Sequence, residues 1–289
     1  MKRRTLSRWS GYLFVLPYLV LFCTFLVYPV LSGLKLSMFR WELLSASPAK
    51  FIGLGNYREA VADPMFWKAL GVTFRMMLII TPLTVLLALS LALGLNSIKK
   101  KRQTFYRAAL FIPGMLTVSV VGILWRWFYN PEFGVFNAIL APTGFRPPWL
   151  GHPLWATIAI VIMTLWWTTG GPMVTLLAGL QGVPDHYIEA AQLDGANAWQ
   201  RTWCIVLPQL RPVLLFVMVM NIIGTFQIFG QTFLVTKGGP EYSTRTLVQY
   251  IYDTAFNNYR MGYAAAMSWL LFAVIGTFSM VQFRLMREK

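Results

Sequence analysis

Long apolar stretches alternate with short polar ones along the whole chain. An apolar stretch of about 20 residues is long enough for a helix to cross a bilayer core of roughly 30 Å. Proline and glycine inside such stretches do not argue against helices, because neighbouring helices in a membrane satisfy the freed backbone groups. The pattern predicts an all-α, polytopic membrane protein. Six transmembrane helices are expected, at about residues 12–32, 73–95, 108–129, 155–180, 210–236 and 264–285.

Composition supports a membrane protein and weighs against other classes. Hydrophobic residues make up 57% of the chain and charged residues only 12%, against roughly 25% charged in soluble domains. A net charge of +15 would suit a nucleic-acid-binding protein, but the basic residues form no single face or arm, so no nucleic-acid partner is expected. The only two cysteines, Cys23 and Cys204, suggest neither a disulfide framework nor a metal site.

The basic residues indicate how the chain is oriented. They concentrate in short tracts at 2–8, 99–107 and 284–289, beside the ends of predicted spans. Such tracts favour the cytoplasmic side of a membrane. Both termini are therefore expected in the cytoplasm.

Domain organisation follows from this topology. Residues 1–11 are expected to form a cytoplasmic tail, and 12–289 a single membrane domain, since no repeat or appended soluble domain is visible. The external segment at about 33–72 is long enough for a small ordered cap, in which REAVADPMFWKAL (58–70) has helical spacing. A polar stretch at about 181–211 lies in the cytoplasm in this topology.

What the chain lacks limits how transport could be driven. No lysine follows a glycine, so there is no P-loop to hold nucleotide phosphates. All ten acidic residues fall in predicted loops or at span ends, whereas intramembrane carboxylates mark many ion-coupled transporters. We therefore expect no catalytic residue and no cofactor in this chain, and energy from another subunit. A secondary transporter that binds Na⁺ through backbone carbonyls stays an alternative.

The cytoplasmic stretch EAAQLDGANAWQRTWCIVLP (189–208) is polar and helix-prone. It predicts a helix that ends at Gly195, where glycine can adopt the left-handed conformation. A second helix is expected at 196–205, with Trp199 and Trp203 one turn apart on one face, and the prolines that follow mark the return to the membrane. Periodicity alone favours an amphipathic hairpin at the membrane surface over a protein-docking element.

The spacing within this stretch changes that interpretation. It fits E-A-A-x3-G-x9-I-x-L-P at every fixed position and resembles the EAA signature of permease subunits of binding-protein-dependent ABC importers. FIGLGNY (51–57), RAALFIPGMLTVSVVGILWRWFYNPEFGVFN (107–137) and TKGGPEYST (236–244) resemble the carbohydrate, maltose-type branch of that family. The resemblance covers nearly the whole chain and implies one N-terminal helix followed by a five-helix permease core.

The resemblance also implies how the cytoplasmic stretch works. It would form a coupling helix that docks into a cleft on the ATP-hydrolysing subunit, with Glu189 as the ionic contact, Ala190 and Ala191 allowing close approach and Gly195 making the turn. Arg201 and Trp199 are candidate contacts at the rim, with anchoring at the membrane interface as the alternative for each. The residues assigned to ATPase coupling are Glu189, Ala190, Ala191, Asp194, Gly195, Arg201, Ile205, Leu207 and Pro208.

The implied assembly supplies the expected partners and location. They are a second homologous permease subunit, a dimer of ATP-binding subunits that hold ATP and Mg²⁺, an extracytoplasmic solute-binding protein, a saccharide and membrane lipid. The chain itself would be no enzyme. A multi-pass protein of the bacterial cytoplasmic (inner) membrane is expected.

The fifth predicted span carries NIIGTFQIFGQTF (221–233), in which polar residues mix with phenylalanine and Gln227 and Gln231 form an i, i+4 pair. Amides beside aromatic rings suit sugars, whose hydroxyls need hydrogen bonds and whose C–H faces stack on rings. Polar groups that join neighbouring helices are the simpler alternative for any single residue. The expected pathway residues are Asn221, Thr225, Gln227, Phe229 and Gln231, with Trp166 and Ser268 from the fourth and sixth spans.

The charge of the pathway bears on the substrate. No arginine or lysine lies inside the predicted fourth to sixth spans, although a phosphorylated substrate would be expected to meet one. A neutral saccharide is therefore preferred. Glycerol-3-phosphate or another small polar solute stays the alternative, because a partner subunit could supply that selectivity.

Overall fold

The computed structural model describes residues 3–44 and 48–287. Lys2 and Lys289, which the orientation argument counts, lie outside the described residues. The chain divides into two compact units. One comprises the residues up to Pro64 together with Ile251–Ala273, and the other comprises Met65–Tyr250 together with the residues from Val274 onward. The prediction of one membrane domain over 12–289 stays a prediction.

The protein is mostly helical, with one short antiparallel ladder of β1 (Phe39–Arg40) and β2 (Lys50–Phe51) in the part that is described. Short π-helical turns at Cys23–Val27 and Thr202–Val206 each lie just before a helical proline. The π-helical turn is wider than an α-helical turn and accommodates the proline ring, whose nitrogen has no N–H to donate. In chain order the α-helices are α1 (Arg3–Phe22), α2 (Tyr28–Ser37), α3 (Gly55–Ala62), α4 (Pro64–Asn96), α5 (Lys100–Phe111), α6 (Val118–Phe128), α7 (Val135–Leu140), α8 (Pro153–Thr168), α9 (Gly170–Gln181), α10 (Asp185–Leu193), α11 (Ala198–Arg201), α12 (Leu207–Phe226), α13 (Leu247–Tyr252) and α14 (Met261–Arg287).

Four continuous helical segments are long and apolar enough to cross a membrane: Tyr12–Ser37, Pro64–Asn96, Ala198–Phe226 and Met261–Arg284. Two further candidates are bent pairs. α5 and α6 meet at 94°, and α8 and α9 at 46°. The described chain therefore has four to six candidate spans, and the predicted third and fourth spans are not straight helices.

The smaller unit holds the predicted external cap. Asn56 of the FIGLGNY stretch donates from Nδ2 to the carbonyl oxygens of Ser37 (2.8 Å) and Phe39 (2.9 Å), which joins α3 to the end of α2 and to β1. Arg260 forms an ion pair with Glu59 at 2.7 Å. The cap is therefore tied both to α2 and to the segment that precedes α14.

The helical spacing of residues 58–70 does not produce one helix. α3 ends at Ala62, and α4 begins at Pro64. Asp63 between them is extended, with φ −80° and ψ 113°, because the residue before a proline is sterically disfavoured from the helical region. The prediction of helix was right for both halves and wrong for the junction.

The larger unit is built around one face of α4. The residues on this face lie four or eight positions apart and are each at most 2% exposed. They are Met76, Ile80, Ala88 and Ala92. The two alanines belong to a cluster with Leu176 and other apolar residues of α9. Packing of this kind, rather than exclusion of water, holds helices together in a membrane.

Two glycines bring α9 close to its neighbours. A Cβ on Gly179 would lie 2.7 Å from a methyl carbon of Leu210 on α12, and a Cβ on Gly170 would lie 2.5 Å from the carbonyl oxygen of Leu110 on α5. Neither position has room for a side chain. α12 is thereby held against α9, and the candidate site lies along these two helices and α8.

Candidate functional site

The cytoplasmic stretch folds as a helix, a glycine turn and a second helix, as predicted. The Gly195 N–H donates to the Gln192 carbonyl oxygen at 3.1 Å, and the Ala196 N–H donates to that of Ala191 at 2.9 Å. These two bonds form a Schellman motif, which requires a left-handed residue after the helix. Gly195 has φ +81°, so the predicted left-handed glycine is confirmed.

The residues before the turn point in different directions. Glu189, Ala190 and Asp194 are exposed, whereas Ala191 is only 8% exposed and packs against its own chain. Leu193, which the sequence interpretation did not single out, is 90% exposed. The free surface of this hairpin therefore combines a carboxylate, a small side chain and a protruding leucine.

The second helix of the hairpin begins with a cap that was not predicted. The Gln200 N–H donates to Asn197 Oδ1 at 2.9 Å, and the Asn197 N–H donates to Gln200 Oε1 at 2.8 Å. This reciprocal pair is a capping box. The N-x-x-Q spacing of residues 197–200 was the signal that could have revealed it.

The second helix does not end before the membrane. Helical structure is continuous from Ala198 to Phe226, so the predicted end of the second helix near Ile205 was wrong. The π-helical turn before Pro208 absorbs the missing N–H, and the Leu207 N–H donates to the Thr202 carbonyl oxygen. The second helix of the hairpin is thus continuous with α12.

The remaining residues assigned to coupling lie along this continuous helix. Trp199 and Trp203 are in contact, with ring centroids 5.2 Å apart and ring planes tilted by 49°, so they share one face as their spacing predicted. Both are more than half exposed. Arg201, Ile205 and Leu207 are half-buried and Pro208 is exposed.

A polar cavity of about 290 Å³ lies between α4, α8, α9 and α12. It contains three of the predicted pathway residues, Asn221, Thr225 and Gln231. Among the residues that the structure describes, the lining is uncharged. Its members are Ile80, Thr164, Thr168, Pro172, Met220, Asn221, Gly224, Thr225, Ile228 and Gln231.

Hydrogen bonds fix part of this lining. Asn221 Nδ2 donates to the Val217 carbonyl oxygen at 2.8 Å, and Thr225 Oγ1 donates to that of Asn221 at 2.7 Å. Thr164 differs, because its Oγ1 is buried and no residue within 3–44 or 48–287 hydrogen-bonds it. An unpaired buried hydroxyl is costly, so Thr164 is the lining group most in need of a partner.

The predicted amide pair of the fifth span was wrong. α12 ends at Phe226, and Gln227 is exposed at its C-terminus, whereas Gln231 lies beyond the break and is 8% exposed in the cavity. The Thr246 hydroxyl donates to the Ile228 carbonyl oxygen at 2.6 Å. The carbonyl oxygens of Gly224 and Thr225 at the helix end accept from the N–H groups of Gln227 and Ile228, both at 3.2 Å. A helix can stop here within the apolar region because its freed carbonyl groups are satisfied.

The cavity does not include the other predicted pathway residues. Phe229 stacks on Phe233 with centroids 5.1 Å apart, and Trp166 packs against Trp125 at 5.5 Å. Ser268 belongs to the smaller unit, where its hydroxyl donates to the Ala264 carbonyl oxygen at 2.9 Å. None of the four residues Gln227, Phe229, Trp166 and Ser268 lines the polar cavity.

Comparison with known proteins identifies the family. Residues 81–288 match the family described as the binding-protein-dependent transport system inner membrane component. The chain belongs to this family. The matched region includes the hairpin and all of the cavity-lining residues except Ile80.

Two relatives cover nearly the whole inner membrane component. The lactose transport system permease protein LacF of Rhizobium radiobacter is 34% identical over 99% of this chain and 98% of its own length. The sn-glycerol-3-phosphate transport system permease protein UgpA of Rhizobium meliloti is 33% identical over 96% of this chain and 94% of its own length. The two names differ in their substrate, so the likeness alone does not select one.

A solved structure shares the fold. A chain of the bacterial alginate ABC transporter, in complex with an alginate pentasaccharide-bound periplasmic protein, aligns with a TM-score of 0.82 at 22% identity. The alignment covers 96% of this chain and 94% of that one.

Proposed function

We propose that this protein is the permease subunit of an ATP-driven ABC importer. It forms half of the pathway for a sugar or oligosaccharide that an extracytoplasmic binding protein delivers. The observation that carries the proposal is the uncharged polar cavity between α8 and α12, on a helix continuous with the EAA hairpin. Family membership, the lactose permease among the relatives and the fold shared with the alginate transporter support it.

The proposed topology counts each bent helix pair as one span. Six spans then place both termini in the cytoplasm, with the hairpin on the same side. The basic tracts at 99–107 and at the two ends of the chain support this orientation.

The hairpin is proposed to couple the cavity to the ATPase. Glu189 and Leu193 are exposed on it, so a carboxylate and an apolar side chain are available to a cleft in the ATP-binding subunit. A charge at the rim of an interface fixes register, which is the role proposed for Glu189. ATP and Mg²⁺ would be held by that subunit, and this chain would perform no chemistry.

A neutral saccharide is the proposed substrate class. The cavity lining contains the amides of Asn221 and Gln231 and the buried hydroxyl of Thr164, and amides and hydroxyls are groups that hydrogen-bond sugar hydroxyls. A phosphate would meet no positive charge there. The glycerol-3-phosphate relative supports the alternative of a phosphorylated solute, for which the second permease would have to supply the cation.

The test uses the assembled transporter. We would co-express this chain with its partner permease and ATP-binding subunit, and compare wild type, Glu189→Lys and Gly195→Pro. We expect the complex to be recovered, with loss of the ATP hydrolysis that the sugar-loaded binding protein stimulates. Glu241→Lys, on a different exposed loop, is the control and should leave stimulation intact. Unchanged stimulation in both hairpin variants would favour the alternative that residues 189–208 form an amphipathic hairpin at the membrane surface. Uptake without any ATPase would favour a secondary transporter.

A further inference from the structure

The non-helical interruption at the end of α12 is bonded by a side chain from a later part of the chain. The interruption spans residues 227–229, and Ile228 within it and Gln231 just after it both line the polar cavity. The Ile228 carbonyl oxygen accepts from the hydroxyl of Thr246, which lies 18 positions further along the chain, at 2.6 Å. The conformation of this part of the cavity wall therefore depends on Thr246.

Thr246 is fully buried and is itself held on two sides. Its hydroxyl oxygen accepts from the Gln249 N–H at 3.4 Å. The N–H of the next residue, Leu247, donates to Thr73 Oγ1 on α4 at 2.9 Å. Thr246 thus connects the interruption to α4, the helix around which the larger unit is built.

The bond satisfies a backbone group that lies outside any helix. Ile228 is 4% exposed, and a buried carbonyl oxygen without a donor is costly. Thr157 on α8 differs, because its hydroxyl donates to the Pro153 carbonyl oxygen one turn earlier in the same helix, at 3.0 Å. A helical N–H also bonds an oxygen in that position. Thr246 therefore supplies a donor that the interrupted backbone does not.

Loss of this hydroxyl would change the cavity wall. Valine has nearly the same shape as threonine but no donor, so the Ile228 carbonyl group would lose this hydrogen bond. Residues 227–229 lie outside the helical hydrogen-bond ladder, so they can turn this group towards another donor. Gln231 follows this segment directly in the chain and would move with it.

We propose that Thr246 is a positioning residue of the pathway, whose hydroxyl holds residues 227–229 in the conformation that places Gln231 in the cavity. Its importance for transport rests on the proposed function, since the cavity is the proposed pathway. The position of Gln231 is measured without any transport.

Thiol labelling of the assembled complex measures this position. Cys23 and Cys204, both exposed, are replaced by serine, and Gln231→Cys places a thiol in the cavity lining. We would measure its rate of reaction with 2-(trimethylammonium)ethyl methanethiosulfonate. Thr246→Val should lower this rate about fivefold, the ratio that one typical hydrogen bond supports. Thr246→Ala, which also lacks the hydroxyl, should do the same, and Thr246→Ser should keep the wild-type rate.

Two controls separate positioning from a general loss of structure. Thr157→Val also removes a buried hydroxyl, but one whose bond lies within α8, and should leave the rate at Gln231→Cys unchanged. Thr168→Cys carries the thiol on α8 in the same cavity. Thr246→Val should leave the rate at Thr168→Cys unchanged, because Thr168 is not part of the interruption.

An unchanged or faster rate at Gln231→Cys in Thr246→Val and Thr246→Ala would overturn the proposal. An equal fall at Thr168→Cys would also overturn it, because the cavity as a whole would then have changed. Failure of the proposed function is a separate result. It would appear as ATP hydrolysis that the hairpin variants do not alter, and the labelling rates would still report where Gln231 lies.

Discussion

The left-handed conformation of Gly195 leads to a quantitative prediction about the hairpin. A Cβ at this position would meet no atom within 4 Å, so Gly195→Ala adds no clash, and only the backbone conformation is penalised. An L-residue with a Cβ in the left-handed region costs about 1–2 kcal/mol. Opening of the turn should therefore become about 5- to 30-fold more frequent. Asparagine tolerates this region better, so Gly195→Asn should have a smaller effect.

Hydrogen exchange of residues 185–201 in the assembled complex measures this opening. Exchange should be fastest in Gly195→Ala, intermediate in Gly195→Asn and slowest in wild type. Gly276→Ala is the control, because an added Cβ there also meets no atom within 4 Å and alanine is favoured inside a helix. Equal exchange in wild type and both Gly195 variants would refute the argument. It would mean that the positive φ at this position does not require glycine.

Three further substitutions test other parts of the structure. Asn197→Ala removes the capping box and should cost about 1 kcal/mol, seen as faster exchange in α11 that Asn197→Ser partly restores. Gly179→Val places a Cβ 2.7 Å from Leu210 and should cost about 1–3 kcal/mol through overpacking, so less complex is recovered, whereas Gly171→Ala, with open space around the added Cβ, should have no effect. Thr164→Val should leave the sugar-free protein as stable as wild type or more so, because it removes an unpaired hydroxyl, but should raise the KM for uptake. An unchanged KM would remove Thr164 from the pathway.

Hydropathy predicted the positions of the helices in the sequence better than it predicted their bends. The apolar stretches at 12–32, 73–95 and 264–285 coincide with continuous helices, because a long apolar stretch has few alternatives to a helix in a bilayer. The predicted third span fails at the sharp bend between Met115 and Val118, which directly follows the turn that contains Pro113 and Gly114. A hydropathy window averages residues along the sequence and contains no information on the direction of the helix axis. It therefore cannot distinguish a bent pair of helices from one straight helix.

The hairpin was predicted more closely than the cavity, for a physical reason. Its glycine turn and its pair of tryptophans depend on residues within a few positions of each other, so spacing alone specifies them. The cavity depends on which residues of separate helices meet. Thr164 and Thr168 on α8 line one cavity with Asn221 and Thr225 on α12, and the close approach of α9 to α12 at Gly179 is a contact between separate helices that spacing does not specify.

The largest error in the sequence interpretation supports the functional proposal. The expected i, i+4 pair of Gln227 and Gln231 assumed an unbroken helix, whereas α12 stops at Phe226 and helical structure resumes near Gly230. A Cβ on Gly230 would lie 2.5 Å from a methyl carbon of Val118, so the resumed segment is placed by contact with α6 rather than by continuation of α12. Non-helical backbone in a membrane is tolerated only where it is buried in protein or lines a cavity. The break lies beside the polar cavity and places the Gln231 side chain in it, which is where an interrupted helix is expected if the cavity serves transport.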